Sequence, residues 1–297
     1  MLRFFGKLQA LDCTRFLQLR IVEKQSTHHP SRIVHFLVAM AFFGAGELGG
    51  QETPVCRLAH AHNDYLHERP LLDALDNGFC SVEADIYLVD GQLLVAHSPS
   101  KLVPDRTLRS LYLDPLRTRV QKYSGQVRPD GGPFTLLIDI KSEGKATYRA
   151  LHSLLSEYRD MLSFVDSGTQ HQGAVTAIVS GNRAIDLITA DTVRFVGIDG
   201  RLSDLDSESP DHLLPLISDN WALHFRWRGA GEFPESERDK LKTIIERAHA
   251  KKRRVRFWAT PDNASMWAAL KEAGVDLINT DDLKGLSGFL RKSKPIK

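Results

Sequence analysis

The sequence predicts an α/β fold: a TIM-type (β/α)8 barrel closed as a single domain. Short apolar runs that end in polar residues recur eight times, and segments of helical spacing separate several of them. Eight strands with intervening helices imply parallel pairing, and eight is the number that closes such a barrel. The runs fall at 57–62, 81–89, 134–141, 174–180, 194–199, 215–219, 255–259 and 275–279, and helical spacing is clearest at 148–161, 238–250 and 264–273. No internal repeat interrupts the series. Residues 203–211 are acidic and loop-like, and the basic cluster Lys251 to Arg254 reads as a solvated helix end, where cations suit the helix dipole.

The segment ahead of the first strand has a different character. Residues 1–32 are rich in Lys and Arg, and an apolar run over 33–46 follows, broken only by His35 and ending in Gly44, Ala45 and Gly46. This order matches a secretory signal, and the run is shorter than the roughly 20 residues needed to cross a bilayer. The expected organisation is a leader over 1–50 and a barrel over 51–297, with the mature protein secreted or periplasmic. Export leaves Cys56 and Cys80, which precede neighbouring strands. Both a disulfide and two buried thiols are open to them.

With 39 basic and 37 acidic residues, the net charge is +2. That excludes nucleic-acid binding by bulk electrostatics, which relies on a basic excess. A hydrophobic fraction of 42% with 26% charged residues describes a chain that buries a core.

Residues two apart on a strand share a face. The first strand therefore presents His60 and His62 together, the second Glu83 and Asp85, and the third Asp139 and Lys141. All three pairs end adjacent strands, where barrel active sites are built. Six ionisable groups around one cavity call for an ion or a charged ligand, because buried charge is costly unless paired. The three carboxylates offer only oxygen, the ligand type of Mg²⁺ or Ca²⁺. A fourth element is His97, returned to the acids by a hairpin at Asp90-Gly91. If the loop has two residues, paired positions sum to 181 and His97 points away from Glu83 and Asp85. A loop one residue wider places it opposite Asp85 on their face.

These motifs resemble a known family. His60-Ala-His-Asn-Asp-Tyr65, Pro70-Leu-Leu-Asp-Ala-Leu75, Ser81-Val-Glu-Ala-Asp85 and Leu93-Leu-Val-Ala-His97 look like the first half of the phosphatidylinositol-specific phospholipase C-like and glycerophosphodiester phosphodiesterase superfamily. Ile138-Asp-Ile-Lys141, Val179-Ser-Gly-Asn-Arg183, Arg256-Phe-Trp-Ala-Thr-Pro-Asp262 and Gly274-Val-Asp-Leu-Ile-Asn-Thr-Asp281 bring it nearest to the branch of altered inheritance of mitochondria protein 6-like proteins. The resemblance spans about Leu58 to Leu290. It implies cleavage of phosphodiesters by two histidines and a divalent cation. Glu83, Asp85 and Asp139 match metal ligands, Lys141 a phosphate-neutralising position and His97 the second catalytic histidine. The first catalytic histidine is His62 or His60, with His62 favoured because it abuts Asn63. The His-Arg-Gly and Glu-Asn-Thr triplets of glycerophosphodiesterases are absent, and Glu68 stands roughly where the second would supply a ligand.

A phosphodiester is anionic, so a cation on the three acids, aided by Lys141, would offset the developing charge. Two imidazoles, with ordinary pKa values near 6.5, suit the proton exchange. Asn63, Arg183, with the backbone around Ser180-Gly181-Asn182, and Trp258 are candidates to contact substrate. Arg226, Trp227 and Arg228 read either as a lid or as a packed rim. Asn279 and Asp281 fit structural hydrogen bonding. Two rivals remain: an amidohydrolase-type enzyme, whose His-x-His pair would bind zinc, and a non-catalytic barrel that binds phosphorylated headgroups or a protein. No long apolar segment follows the leader, so soluble diesters and lipid headgroups, with peripheral membrane contact, are both open, and oligomeric state is not encoded in these patterns.

Overall fold

The computed structural model describes residues 55–292. The expected leader over 1–50 lies outside them. Twelve strands are described: β1 (Ala59–Ala61), β2 (Ser81–Val89), β3 (Gln92–Val95), β4 (Phe134–Ile140), β5 (Phe164–Asp166), β6 (Thr169–His171), β7 (Val175–Gly181), β8 (Val193–Arg194), β9 (Val196–Gly200), β10 (Leu216–Asn220), β11 (Arg254–Trp258) and β12 (Leu277–Thr280). Eight of them, β1, β2, β4, β7, β9, β10, β11 and β12, pair in parallel in chain order, and the β1–β2 pairing closes the ring. The expected (β/α)8 barrel is what forms. Each expected strand is present, displaced by at most two residues at either end. Strands β5, β6 and β8 form a small separate sheet.

The helices are α1 (Leu72–Asp76), α2 (Asp114–Lys122), α3 (Gly144–Ser156), α4 (Ile185–Ala190), α5 (Trp221–His224), α6 (Glu235–Ala250), α7 (Ala264–Ala273) and α8 (Leu283–Lys292). Helix α7 matches expectation to the residue, because Asn263 caps the Met266 amide and Gly274 turns left-handed at φ 90°. The helix expected at 148–161 instead occupies Gly144–Ser156. The Glu143 carboxylate accepts from the amides of Lys145 and Ala146, which starts the helix early.

Registers around the ring sort the inward side chains into layers. Leu137, Ile178, Leu216 and Leu277 form an apolar cluster of their own inside the barrel, distinct from the large core between strands and helices. Thr135 and Thr176 precede this layer on its own strands, and Asp139, Ser218 and Asn279 follow it toward the carboxyl ends. In register, Glu83 stands beside Leu137, Asp199 and Arg254 beside Leu216, and Arg256 beside Leu277. An apolar plug therefore separates two polar ends.

One open choice is settled here and one expectation corrected. Cys56 and Cys80 are two buried thiols rather than a disulfide. Cys56 aligns with Phe79, so Cys80 is one residue out of step and its side chain leaves on the other face. The basic cluster 251–254 is not uniformly solvated. Arg253 is 1% exposed, and its guanidinium donates to the carbonyls of Asp204, Leu205, Ser207 and Ser209, while Arg254 turns into the barrel and donates to Thr135 Oγ1. The loop at 203–211 has few backbone partners of its own, and Arg253 supplies them. Among the described residues no helix is long and apolar enough to cross a membrane.

Arg253→Met should therefore destabilise the protein by about 2–4 kcal/mol in urea unfolding, because several buried carbonyls lose their donor. The exposed Arg247–Asp206 pair nearby should contribute well under about 1 kcal/mol when removed by Arg247→Ala.

Candidate active site

Strand parity brings Glu83 and Asp85 of β2 and Asp139 of β4 to one side of the barrel mouth, since Asp85 and Asp139 are register partners. One carboxylate oxygen from each lies within 4.8 Å of the others. Lys141 Nζ sits 3.2 Å from Asp85 Oδ2 and 3.1 Å from Asp139 Oδ2. Asp85 Oδ1 and Asp139 Oδ1 are buried and have no hydrogen-bond partner. A lone ammonium thus serves two carboxylates and leaves an oxygen of each unsatisfied, an arrangement a hard cation would complete. Gly181, at φ 67°, shapes this niche: a Cβ there would overlap Asp139 Oδ1 and the Ile140 carbonyl.

Charge in the niche follows burial. Desolvation pushes the Asp139 carboxyl up to about 6 against the pull of Lys141, and it raises Asp85 as well. Glu83 goes the other way. Burial again acts to raise it, but the Arg256 guanidinium and His60 hold it far below the usual carboxylate range. Arg256 Nη2 donates to Glu83 Oε2 at 2.5 Å and shares Asn279 Oδ1. Glu83 therefore stays anionic beneath the mouth, with one oxygen already engaged.

The two candidate histidines of β1 separate. His60 is fully buried, with Nδ1 2.7 Å from Ser81 Oγ and Nε2 3.2 Å from Glu83 Oε2. Burial and Arg256 push its pKa down to about 3, so it is neutral in the fold. His62, the next inward position, reaches the mouth, where its Nδ1 lies 2.8 Å from Asp281 Oδ1 and 3.0 Å from Asn63 Nδ2. The two imidazoles do not converge on one point. Among the described residues the acidic trio is the one candidate metal cluster, so the zinc reading of the His-x-His pair finds no site.

His97 reaches the acids by a route that register arithmetic misses. The hairpin closes with two residues, Asp90 and Gly91 at φ 48° and 79°, and pairs Val89 with Gln92, the sum of 181 that was expected to aim His97 away. Strand β3 ends at Val95, however, and alternation ends with it. Beyond that point the chain turns, and His97 Nδ1 lies 3.1 Å from Tyr65 Oη and 3.4 Å from Asp85 Oδ2. Tyr65 Oη also bonds Asp85 Oδ2 (2.7 Å) and Asn63 Oδ1 (2.6 Å). A continuous polar chain, Asp281–His62–Asn63–Tyr65–His97, runs along the acids. Both mouth histidines are gripped at Nδ1, which leaves each Nε2 for chemistry.

The remaining candidates gather around Asp199. Arg183 Nη1 donates to the Asp199 carbonyl, and Trp258 lies under the Arg201 guanidinium, 4.9 Å from the ring centroid. Asp199 is fully buried and accepts from Ser180, Ser218 and Arg201. Trp227 is packed on Phe233 with centroids 4.4 Å apart, and Arg228 donates to the carbonyls of Phe225 and Trp227, so this loop is a packed rim. Glu68 is exposed and does not join the acidic trio. Sequence reasoning missed Tyr65 and Arg256 as members of the site. Parity on β11 pointed to Arg256, which alternates with Arg254 and Trp258 on the inner face.

Behind β1, Asp64 is buried and accepts from the Leu71 amide (2.5 Å) and the Tyr112 hydroxyl (2.9 Å), while its Oδ1 has no partner. Leu71 itself is strained at φ 64°. Burial pushes the Asp64 carboxyl from 3.8 up to about 7. The fold thus favours the protonated form: its stabilisation is complete below about pH 4 and disappears as pH rises through 7. Relative to Asp64→Asn, the wild type should lose about 4 kcal/mol of unfolding free energy between pH 4 and 8, read by chemical denaturation. Gly181→Ala should lower stability by about 1–3 kcal/mol in the same assay, through strain at positive φ and the clash with Asp139.

The AIM6-like phosphodiesterase domain matches residues 52–199, and the glycerophosphoryl diester phosphodiesterase family matches residues 254–284. Altered inheritance of mitochondria protein 6 of Eremothecium gossypii is 29% identical over 275 residues, covering 80% of this chain and 71% of the relative. The homologue of that protein from Arthroderma benhamiae is 27% identical over 264 residues, covering 77% and 82%. Among solved structures, a glycerophosphodiester phosphodiesterase from Parabacteroides distasonis aligns over 82% of this chain and 98% of its own, at 13% identity and a TM-score of 0.47. On the sequence matches, the chain is similar to the AIM6-like phosphodiesterase proteins and, over 254–284, to the glycerophosphoryl diester phosphodiesterase family.

Proposed function

We propose that this protein is a divalent-cation-dependent phosphodiesterase in which His62 and His97 act as the general base and general acid. The observation that carries this reading is the pair of buried, unpartnered oxygens Asp85 Oδ1 and Asp139 Oδ1 in a niche reached by both mouth histidines' supports. The match to a phosphodiesterase domain over 52–199 supports the reaction class.

Glu83, Asp85 and Asp139 would hold the ion. When bound, Mg²⁺ or Ca²⁺ supplies positive charge to a non-bridging phosphoryl oxygen. Lys141 adds a fixed ammonium at the same place and orients both aspartates. Arg256 keeps Glu83 ionised without water. Asp281 accepts the Nδ1 proton of His62, so the Nε2 lone pair is free to take a proton from the nucleophile, either water or a neighbouring hydroxyl of the substrate. His97, held through Nδ1 by Tyr65, then gives its Nε2 proton to the departing oxygen. Attack by a substrate hydroxyl would release a cyclic phosphate, and attack by water a monoester.

The rim favours a diester presented at a lipid surface. Leu66 and Leu72 follow β1, Val103 follows the β2–β3 hairpin, Ile185 follows β7 and Leu223 follows β10, and all five are exposed. Each lies in a segment leaving the carboxyl end of a strand or hairpin, around the niche rather than at the far end of the barrel. At a lipid surface these five side chains would rest among the headgroups with the niche facing the membrane.

Hydrolysis of a generic phosphodiester should be abolished by EDTA and restored by one of Mg²⁺ or Ca²⁺. His97→Ala and His62→Ala should each lower kcat by about 10²–10⁴-fold. Full turnover in EDTA and in both variants would rule the mechanism out. With Leu66→Ser combined with Leu223→Ser, cleavage of phospholipid in vesicles should fall while that of a soluble diester holds; equal effects on both would assign a soluble substrate.

A further inference from the structure

A cavity of about 310 Å³ opens at the other end of the barrel, where β4, β7, β9 and β11 begin. Two guanidinium groups, Arg194 and Arg254, line it together with His212 and Lys252. Arg194 is buried. It donates Nε to the Val196 carbonyl (3.1 Å) and Nη2 to His212 Nδ1 (2.6 Å), and Nη1 has no partner. Arg254 donates Nη1 to Thr135 Oγ1 (3.0 Å), and its Nε and Nη2 have none.

Neither guanidinium forms an ion pair among the described residues. The carboxylates in reach are otherwise engaged. Asp211, on the cavity wall, accepts from the His212 amide; Asp276 accepts from His249 and the Val255 amide; Asp191 accepts from Tyr148. Burial pulls both guanidinium groups below their ordinary range. Both guanidinium groups line one polar cavity without an ion-pair partner, and a cation drawn out of water is costly without a counter-charge. The three unengaged nitrogens, Arg194 Nη1 and Arg254 Nε and Nη2, carry five N–H groups suited to an oxyanion, beside the mutually bonded hydroxyls of Ser163 and Thr176.

We propose that this cavity is a second anion site, which binds a phosphate-class oxyanion, free or carried by a small phosphomonoester. It is independent of the reaction proposed above, because the layer of Leu137, Ile178, Leu216 and Leu277 separates it from the catalytic niche. The anion acts there as a bound counter-ion that ties β4, β9 and β11 together at the barrel floor.

The test follows thermal unfolding and isothermal titration of the full chain with inorganic phosphate and with glycerol 3-phosphate, at ionic strength balanced by chloride. Wild-type Tm should rise by several degrees at saturating anion. Lys141→Met, which disables the catalytic niche, should keep that rise. Arg194→Met should weaken binding by tenfold or more. Thr176→Asp, which installs a carboxylate in the cavity, should raise Tm without phosphate and abolish the further rise. The tighter of the two probes identifies the source of the phosphate group. Loss of the rise in Lys141→Met with its retention in Arg194→Met and Thr176→Asp would place the anion at the catalytic end and overturn the proposal, as would no anion-dependent rise in the wild type.

Discussion

Asp85 organises the catalytic end of this barrel. It is fully buried, yet one of its oxygens meets Tyr65 from the segment after β1, Lys141 from the end of β4 and His97 from beyond β3. Three parts of the chain remote in sequence are thereby held to one atom, and the other oxygen is left facing the niche. Desolvation makes the arrangement sensitive: it raises both aspartates and is only partly offset by a single lysine. A carboxylate pair kept this short of positive charge is poised for a cation.

The two polar ends of the barrel solve opposite problems. At the catalytic end, carboxylates outnumber the cations beside them. At the floor, Arg194 and Arg254 form no ion pair among the described residues, and Asp191 and Asp276 act on them only from a distance. An apolar layer of four side chains keeps these imbalances from neutralising each other. A barrel interior filled by apolar side chains at its waist therefore preserves an excess of one sign at the mouth and of the other at the base.

Much of the catalytic end was legible because strand periodicity is local. Glu83 with Asp85, and Asp139 with Lys141, share faces by spacing alone, and parallel pairing placed the pairs side by side. The same logic went astray at His97, because alternation ceases where β3 stops, and a histidine two residues past Val95 obeys the turn rather than the pleat. It also treated 251–254 as one charged patch, although Arg253 and Arg254 leave on opposite sides, one into a loop and one into the barrel.

The amino-acid sequence by itself determined the eight-strand α/β order, the acids and histidines at the strand ends and a hairpin turn at Asp90-Gly91, since each follows from apolar period or turn chemistry within a few residues. Only the tertiary structure decided that His60 is a neutral buried support while His62 reaches Asp281, that Tyr65 joins both mouth histidines and that Arg256 holds Glu83. Those choices depend on contacts between residues up to 219 positions apart. The closure of the ring sets such distances, and no local pattern encodes them.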